Sequence, residues 1–239
     1  MRPNLRGKQA VLLGLVLLML VLGYFAGKRS GGSANDKQAA FFDIQRDHLR
    51  RLDGASVEGR VVFLGSSTFQ GLDTSSVTPI GLNLSIGGDT LEGLIERSAA
   101  YRSLATARVV IVNIGLNDLV RGCVQPKVRI EDLLQLVRAE TPIVVLGVQG
   151  VEEAGNARPC DGRLAGLIDE FNQDLLNACS NRNNCQFVPH PVTTNMNKNT
   201  MKPLQEPDGV HLSRRGYQAL SDALRNALAK VDASLATVQ

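Results

Sequence analysis

Four short clusters in this chain carry side chains suited to chemistry at a carbonyl group. They are Gly65-Ser66-Ser67, Gly87-Gly88-Asp89-Thr90, Gly115-Leu116-Asn117-Asp118 and Asp208-Gly209-Val210-His211. A serine hydroxyl is a weak nucleophile until a base takes its proton. Histidine serves as that base when a carboxylate fixes its tautomer. Asp208 stands three residues before His211, so it can orient the imidazole from the same turn and leave the other ring nitrogen facing a serine. Each cluster also has a plainer reading. Gly-Ser-Ser is an ordinary turn before a helix cap, and an isolated Asp-x-x-His is a helix-entry turn with a surface histidine. The decision between them rests on where the surrounding elements place the clusters.

Those elements follow from hydrophobic periodicity. The β-branched run through Val61 and Val62 to Leu64 breaks at Gly65, and 60–64 is expected as a buried first strand. Further strands are expected at 80–85, 108–114, 142–148 and 185–188. Helices are expected at 36–52 (Phe41, Ile44, His48, Leu52), from Gly87-Gly88-Asp89-Thr90 onward (Leu91, Leu94, Ile95), at 131–140, at 163–178 and from an N-cap at Ser213. Asp89 with Glu92 has the spacing of a capping box. Strand and helix alternate, which implies a parallel sheet with right-handed crossovers. The expected class is α/β, a three-layer sandwich with a five-stranded parallel sheet in the flavodoxin-like order 2-1-3-4-5. That order puts the switch point between strands one and three, where ligands bind outside the carboxyl ends. The loops at that place hold Ser67 and Asn117.

In order and spacing the four clusters resemble the SGNH, or GDSL-type, hydrolase family over most of residues 60–215. The resemblance implies that Ser67 is the nucleophile, His211 the general base and Asp208 its orienter. It implies an oxyanion hole made by the backbone N–H groups of Ser67 and Gly88 and the side-chain amide of Asn117. Such donors act where negative charge appears only in the tetrahedral intermediate, and losing one costs ~10²–10³ in rate. The implied reaction is hydrolysis of an acyl ester through an acyl-enzyme on Ser67, with no cofactor and no metal. Transfer of the acyl group to a sugar hydroxyl, lysophospholipase or thioesterase action, and a non-catalytic binding module are the alternatives. Ser66 stands where many members have aspartate, and it is the second candidate nucleophile. The G-x-S-x-G elbow of α/β-hydrolases is not matched, because Phe69 occupies the place of its second glycine. Among other polar residues, His190 is a rival base without a nearby acid, Asp118 supports its loop, and Asp89 reads as a helix cap. Arg121, Gln149 and Arg158 read as solvated loop residues bordering the site.

The remaining signals concern location. Residues 10–27 form an uncharged, Leu/Val-rich run just long enough to span a bilayer, with Arg2, Arg6 and Lys8 before it and Lys28 and Arg29 after. The expected organisation is a cytoplasmic end at 1–9, a transmembrane signal anchor at 10–27, a linker at 28–35 and the catalytic domain at 36–239. A cleaved signal peptide is the rival, weakened by Tyr24 and Phe25 where small residues would precede a cut. The domain is then outside the cytoplasm, periplasmic in a Gram-negative source, with the membrane as a partner. Net charge is +3, and residues 1–34 hold five basic and no acidic side chains, which leaves −2 for the rest. That balance gives no argument for nucleic-acid binding. Cys123, Cys160, Cys179 and Cys185 all fall in the exported part, where an even count suggests disulfides with three pairings open. Cys179 with Cys185 would be a local bridge, and Cys123 with Cys160 would join loops after consecutive strands.

Overall fold

The computed structural model describes residues 34–151 and 159–235. The expected membrane segment 10–27, the end before it and most of the linker lie outside these residues. Among the described residues, no helix is long and apolar enough to cross a membrane. The chain divides into a unit up to Gln45 and a second from Arg46 onward.

Five parallel strands form one sheet in the order β2-β1-β3-β4-β5. They are β1 (Val61–Gly65), β2 (Gly81–Asn83), β3 (Val109–Asn113), β4 (Ile143–Leu146) and β5 (Cys185–Val188). Register pairs Val61 with Gly81 and with Val109, and Gly65 with Asn113. The order is the expected one, and it places β1 and β3 side by side. Successive residues of a strand face opposite ways. One face, with Val61, Phe63, Val109, Ile111, Val144 and Leu146, shares a core with Leu220, Leu224, Ala227 and Leu228. Those four lie on the carboxyl-terminal helix. Val62, Leu64, Val110, Val112, Ile143 and Val145 alternate with the first set and are equally buried. β1, β3 and β4 are buried on both faces, as a parallel sheet between helical layers must be.

The helices are α1 (Ala34–Ala55), α2 (Ser67–Gln70), α3 (Leu91–Ser98), α4 (Leu116–Gly122), α5 (Ile130–Leu134), α6 (Leu164–Ser180), α7 (Lys198–Met201) and α8 (Arg214–Val231). Three differ instructively from expectation. In α1 the buried positions are Leu49 and Asp53, whereas Phe41, Ile44, His48 and Leu52 are exposed. Asp53 caps the next segment, accepting from Arg102 N at 2.8 Å and Ser103 N at 3.0 Å. α5 ends six residues early. The Arg182 guanidinium takes the carbonyls of Leu134 (2.8 Å) and Val137 (3.2 Å), where a longer helix would have bonded them. α3 is capped by Thr90, which accepts from Gly93 N at 3.2 Å, so Asp89 is not the cap and the Asp89–Glu92 box does not form. The N-cap at Ser213 is as expected.

Candidate active site

The turn that bears Ser67, the candidate nucleophile, comes first. β1 ends at Gly65, Ser66 caps α2 without a side-chain bond, and Ser67 opens the helix. Ser66 is only 4% exposed, while Ser67 is half-buried at the strand's carboxyl end. Accessibility therefore favours Ser67 over Ser66. The Ser67 N–H, first in its helix, has no intrahelical acceptor and is available to a ligand. Gly65 is required for a reason other than ligand approach: a Cβ there would lie 2.4 Å from the Asn113 carbonyl oxygen of β3.

Past β2 the chain keeps bonding to β1, through Leu84 N to Phe63 O at 2.9 Å and Ile86 N to Gly65 O at 3.1 Å. The Gly87-Gly88 loop is thereby carried to the end of β1. A Cβ placed on Gly87 would sit 3.7 Å from Ser67 Cβ, and Gly87 N donates to Gln70 Oε1 at 2.7 Å. Gly88 has φ +80°, and among the described residues its N–H donates to no backbone group. Asp89 is buried and pairs with Arg97 at 2.7 Å. Burial pushes its carboxyl above the ordinary range, against the pull of Arg97. Arg97 also donates to Leu84 O, Tyr101 Oη (2.7 Å) and Gly65 O (3.2 Å). One guanidinium thus joins the end of β1 to the loop that bears Gly88.

The third cluster starts a helix. Gly115 caps α4 at φ +116°, and a Cβ there would meet the Phe171 ring at 2.1 Å, so both conformation and packing demand glycine. Asn117 donates one amide hydrogen to Asp89 O at 2.9 Å, which leaves its second for a ligand. Asp118 accepts from Leu91 N at 3.1 and 3.3 Å and so supports the start of α3, as expected of it. Its own burial pushes that carboxyl up to about 6.

Asp208 and His211 meet as their spacing implied. His211 Nδ1 and Asp208 Oδ2 lie 2.6 Å apart, and Asp208 Oδ1 accepts from Val210 N and His211 N at 2.9 Å each. The hydrogen bond from His211 holds the Asp208 carboxyl down to about 2, so it stays ionised across the working range. With Asp208 on Nδ1, Nε2 of His211 is the nitrogen left for a serine. Both side chains are about half exposed, at 53% and 50%. Among the described residues no hydrogen bond joins Ser67 to His211. Such contacts commonly tighten only when substrate is bound.

Two buried glutamines hold this loop. Gln149 is 2% exposed and accepts from Thr68 Oγ1 at 3.2 Å while its amide donates to Val210 O. Gln205 donates to Gly150 O at 2.9 Å and Gly209 O at 3.0 Å. The expectation of Gln149 as a solvated residue is therefore corrected. Its position at the end of an apolar strand was the available signal. Arg97 was visible as a charge on the apolar stripe of α3, beside Leu94. His190, the rival base, is enclosed by the fold: it is 3% exposed, its Nδ1 accepts from Val192 N at 3.0 Å, and burial pushes it down to about 4. Arg121 is exposed, and Arg158 lies outside the described residues. Both proposed disulfides are formed, Cys123–Cys160 and Cys179–Cys185. The first joins the end of α4, which carries Asn117, to the segment after β4. Among the described residues no group of three or more His, Cys, Asp or Glu side chains is placed to hold a metal.

Residues 63–219 match the sequence profile of the GDSL-like lipase/acylhydrolase family. No curated protein sequence matches the chain. A solved structure from Streptococcus pneumonia, assigned as a platelet activating factor, is similar with a TM-score of 0.65 and 22% identity, covering 81% of this chain and 95% of its own. A GDSL-like lipase from Bacteroides thetaiotaomicron gives 0.64 at 18% identity, covering 80% and 98%. A Bacteroides fragilis protein assigned as an acylhydrolase gives 0.62 at 18%, covering 77% and 95%. At these identities the structural likenesses speak to the fold.

Proposed function

The chain belongs to the GDSL-like lipase/acylhydrolase family of ester-hydrolysing enzymes, and from that premise we propose that it is an exported, membrane-anchored serine esterase. Its substrate in this reading is a small acyl ester, such as an acetyl ester, on a carbohydrate or another component of the cell envelope. The observation that carries the chemistry is the Asp208–His211 contact of 2.6 Å, on a loop tied through Gln149 to the turn that bears Ser67. Ser67 Oγ attacks the acyl carbonyl carbon, and its proton passes to Nε2 of His211. Asp208, already ionised, stabilises the imidazolium without taking the proton. The negative charge on the carbonyl oxygen is met by the N–H groups of Ser67 and Gly88 and the free amide hydrogen of Asn117. Collapse expels the alcohol, which leaves with the proton from His211. Water then attacks the acyl-enzyme, with His211 again as base, and the acid is released.

Hydrolysis is favoured over transfer to a sugar by the exposure of the base. A half-exposed His211 lets water reach the acyl-enzyme freely. The apolar run at 10–27 with its basic flanks supports anchoring, and two disulfides in one domain support an oxidising compartment. The test is hydrolysis of nitrophenyl acetate, butyrate and octanoate by the full-length protein and by Ser67→Ala. Turnover highest on acetate and lost by at least ~10³-fold in the variant is expected, in line with removal of a nucleophile. Equal turnover in both proteins refutes Ser67. A preference for octanoate refutes the small acyl group. Product acylated on an added sugar in place of free acid moves the assignment to an acyltransferase.

A further inference from the structure

We infer that Gln149 is a positioning residue that sets His211 against Ser67. The inference rests on the reading of Ser67 and His211 given above. The two groups stand on separate loops. Ser67 follows β1, and His211 precedes α8, 144 positions later in the chain. Neither loop is part of the sheet ladder, and no direct hydrogen bond joins the two side chains among the described residues. Something else must hold their separation, since proton transfer from serine to histidine requires hydrogen-bond reach.

Gln149 is the side chain that touches both sides. It projects from the segment after β4, between the two loops, and is 2% exposed. Its oxygen accepts from the hydroxyl of Thr68, the residue after Ser67. Its amide donates to the carbonyl of Val210, the residue before His211. A primary amide presents an acceptor and a donor at fixed separation in one plane, so these two bonds define the spacing of the two loops. Burial removes competing water, and the alternative of an unpaired Val210 carbonyl and Thr68 hydroxyl is costly. Gln205 reinforces only one side. Both its donations run within the base loop and to Gly150, and none reaches the nucleophile turn. Gln149 is therefore distinguished from an ordinary buried amide by what it connects.

The substitution Gln149→Glu separates this role from simple packing. A carboxylate keeps the acceptor for Thr68 but has no hydrogen for Val210 O. A protonated acid restores it. The readout is the rate at which Ser67 is phosphonylated by a fluorophosphonate probe, followed by mass spectrometry of the full-length protein. That reaction needs an activated serine but no particular acyl group: an O–P bond forms, the P–F bond breaks, fluoride leaves and His211 takes the proton. Gln149→Leu is expected to slow labelling by about 10- to 100-fold, the scale of an ångström-sized misplacement. Thr68→Val is expected to slow it less, and adding Thr68→Val to Gln149→Leu to cost little more, because the two share one connection. For Gln149→Glu the ratio to wild type is expected to be highest at acid pH and to fall as pH rises. Taking the ratio cancels the titration of His211 itself. Folded Gln149→Leu protein labelled at the wild-type rate overturns the inference, as does a ratio for Gln149→Glu that is flat with pH. Should Gln149→Leu fail to fold, the Gln149→Glu ratio and the Thr68→Val rate decide. Ser67→Ala is run alongside. Labelling that persists there refutes the nucleophile assignment, whereas labelling lost there but intact in the Gln149 variants refutes only the positioning role.

Discussion

Arg97 offers the sharpest test of how the loop bearing Gly88 is held. Arg97→Met keeps the length and apolar stem of the side chain and removes the guanidinium. In the native protein that group is 4% exposed and its partner Asp89 is 5% exposed, at 2.7 Å. Removal leaves the Asp89 carboxylate buried without a cation, and withdraws the donor from Leu84 O, Gly65 O and Tyr101 Oη. Breaking one side of a buried pair costs about 3–5 kcal/mol, chiefly through the charge left behind. For a domain of this size each kcal/mol moves Tm by about 2–4 °C, so a fall of roughly 6–20 °C is expected at pH 8. The loss should be pH-dependent with a definite sign. Burial already pushes Asp89 up, and removing Arg97 pushes it further. As pH falls, the carboxyl of the variant takes a proton and ceases to be an uncompensated charge, so the deficit shrinks. Asp89→Asn in the same background should recover part of the loss even at pH 8. The assay is urea unfolding and thermal melting by circular dichroism at pH 5 and 8. A deficit under about 1 kcal/mol at pH 8, or one equal at both pH values, would refute the claim that this ion pair holds the loop.

Two other predictions follow from the same kind of reasoning. Asp118 is held up at about 6 by its burial, so it favours the folded state most below its unfolded value of 3.8, and that contribution is lost as pH rises through about 6. Asp118→Asn should therefore gain Tm relative to wild type between pH 4 and pH 8, with its bond from Leu91 N retained; a difference that does not change with pH contradicts this. The disulfides close loops of unequal length, with separations of 37 and 6 residues. Chain entropy then assigns about 4 kcal/mol to Cys123–Cys160 and about 2 kcal/mol to Cys179–Cys185. Urea unfolding of the paired Ala variants checks the order, and equal costs would set the loop-length argument aside.

The sheet order and the strand ends were legible because Val61–Leu64 and Val109–Val112 are apolar without interruption, a pattern set by burial on both faces. The pair Asp208 and His211 was legible because it is local, three residues apart and built within one turn. What escaped the sequence was non-local. α5 stops at Leu134 because of Arg182, forty-eight residues on. The buried face of α1 runs through Leu49 and Asp53, since Asp53 caps Arg102 and Ser103. Phe41, Ile44 and Leu52 form an equally regular stripe but are exposed, so periodicity alone does not tell which face is buried. The short helices α2 and α4 were missed because four to seven residues carry too few periods to read.

A division of labour explains why the reacting groups are easier to find than their supports. A base must exchange protons and meet a substrate, so it stays near water; Asp208 and His211, the pair proposed for that role, are half exposed. A support must keep one protonation state and one geometry. A guanidinium and a primary amide do so across the whole working range, and burial strengthens each bond they make. Arg97, Gln149 and Gln205 are all at most 7% exposed. Each donates to at least one backbone carbonyl of another segment, Arg97 to Leu84 and Gly65 beside its bonds to Asp89 and Tyr101, Gln149 to Val210 and Gln205 to Gly150. Such carbonyls belong to any residue type, so the partner leaves no mark in the sequence. Only the buried polar side chain does, as a charge on an apolar stripe or an amide at the end of an apolar strand. A polar residue at a position that periodicity assigns to the core is therefore the mark to look for when the supports of a loop-borne site are sought.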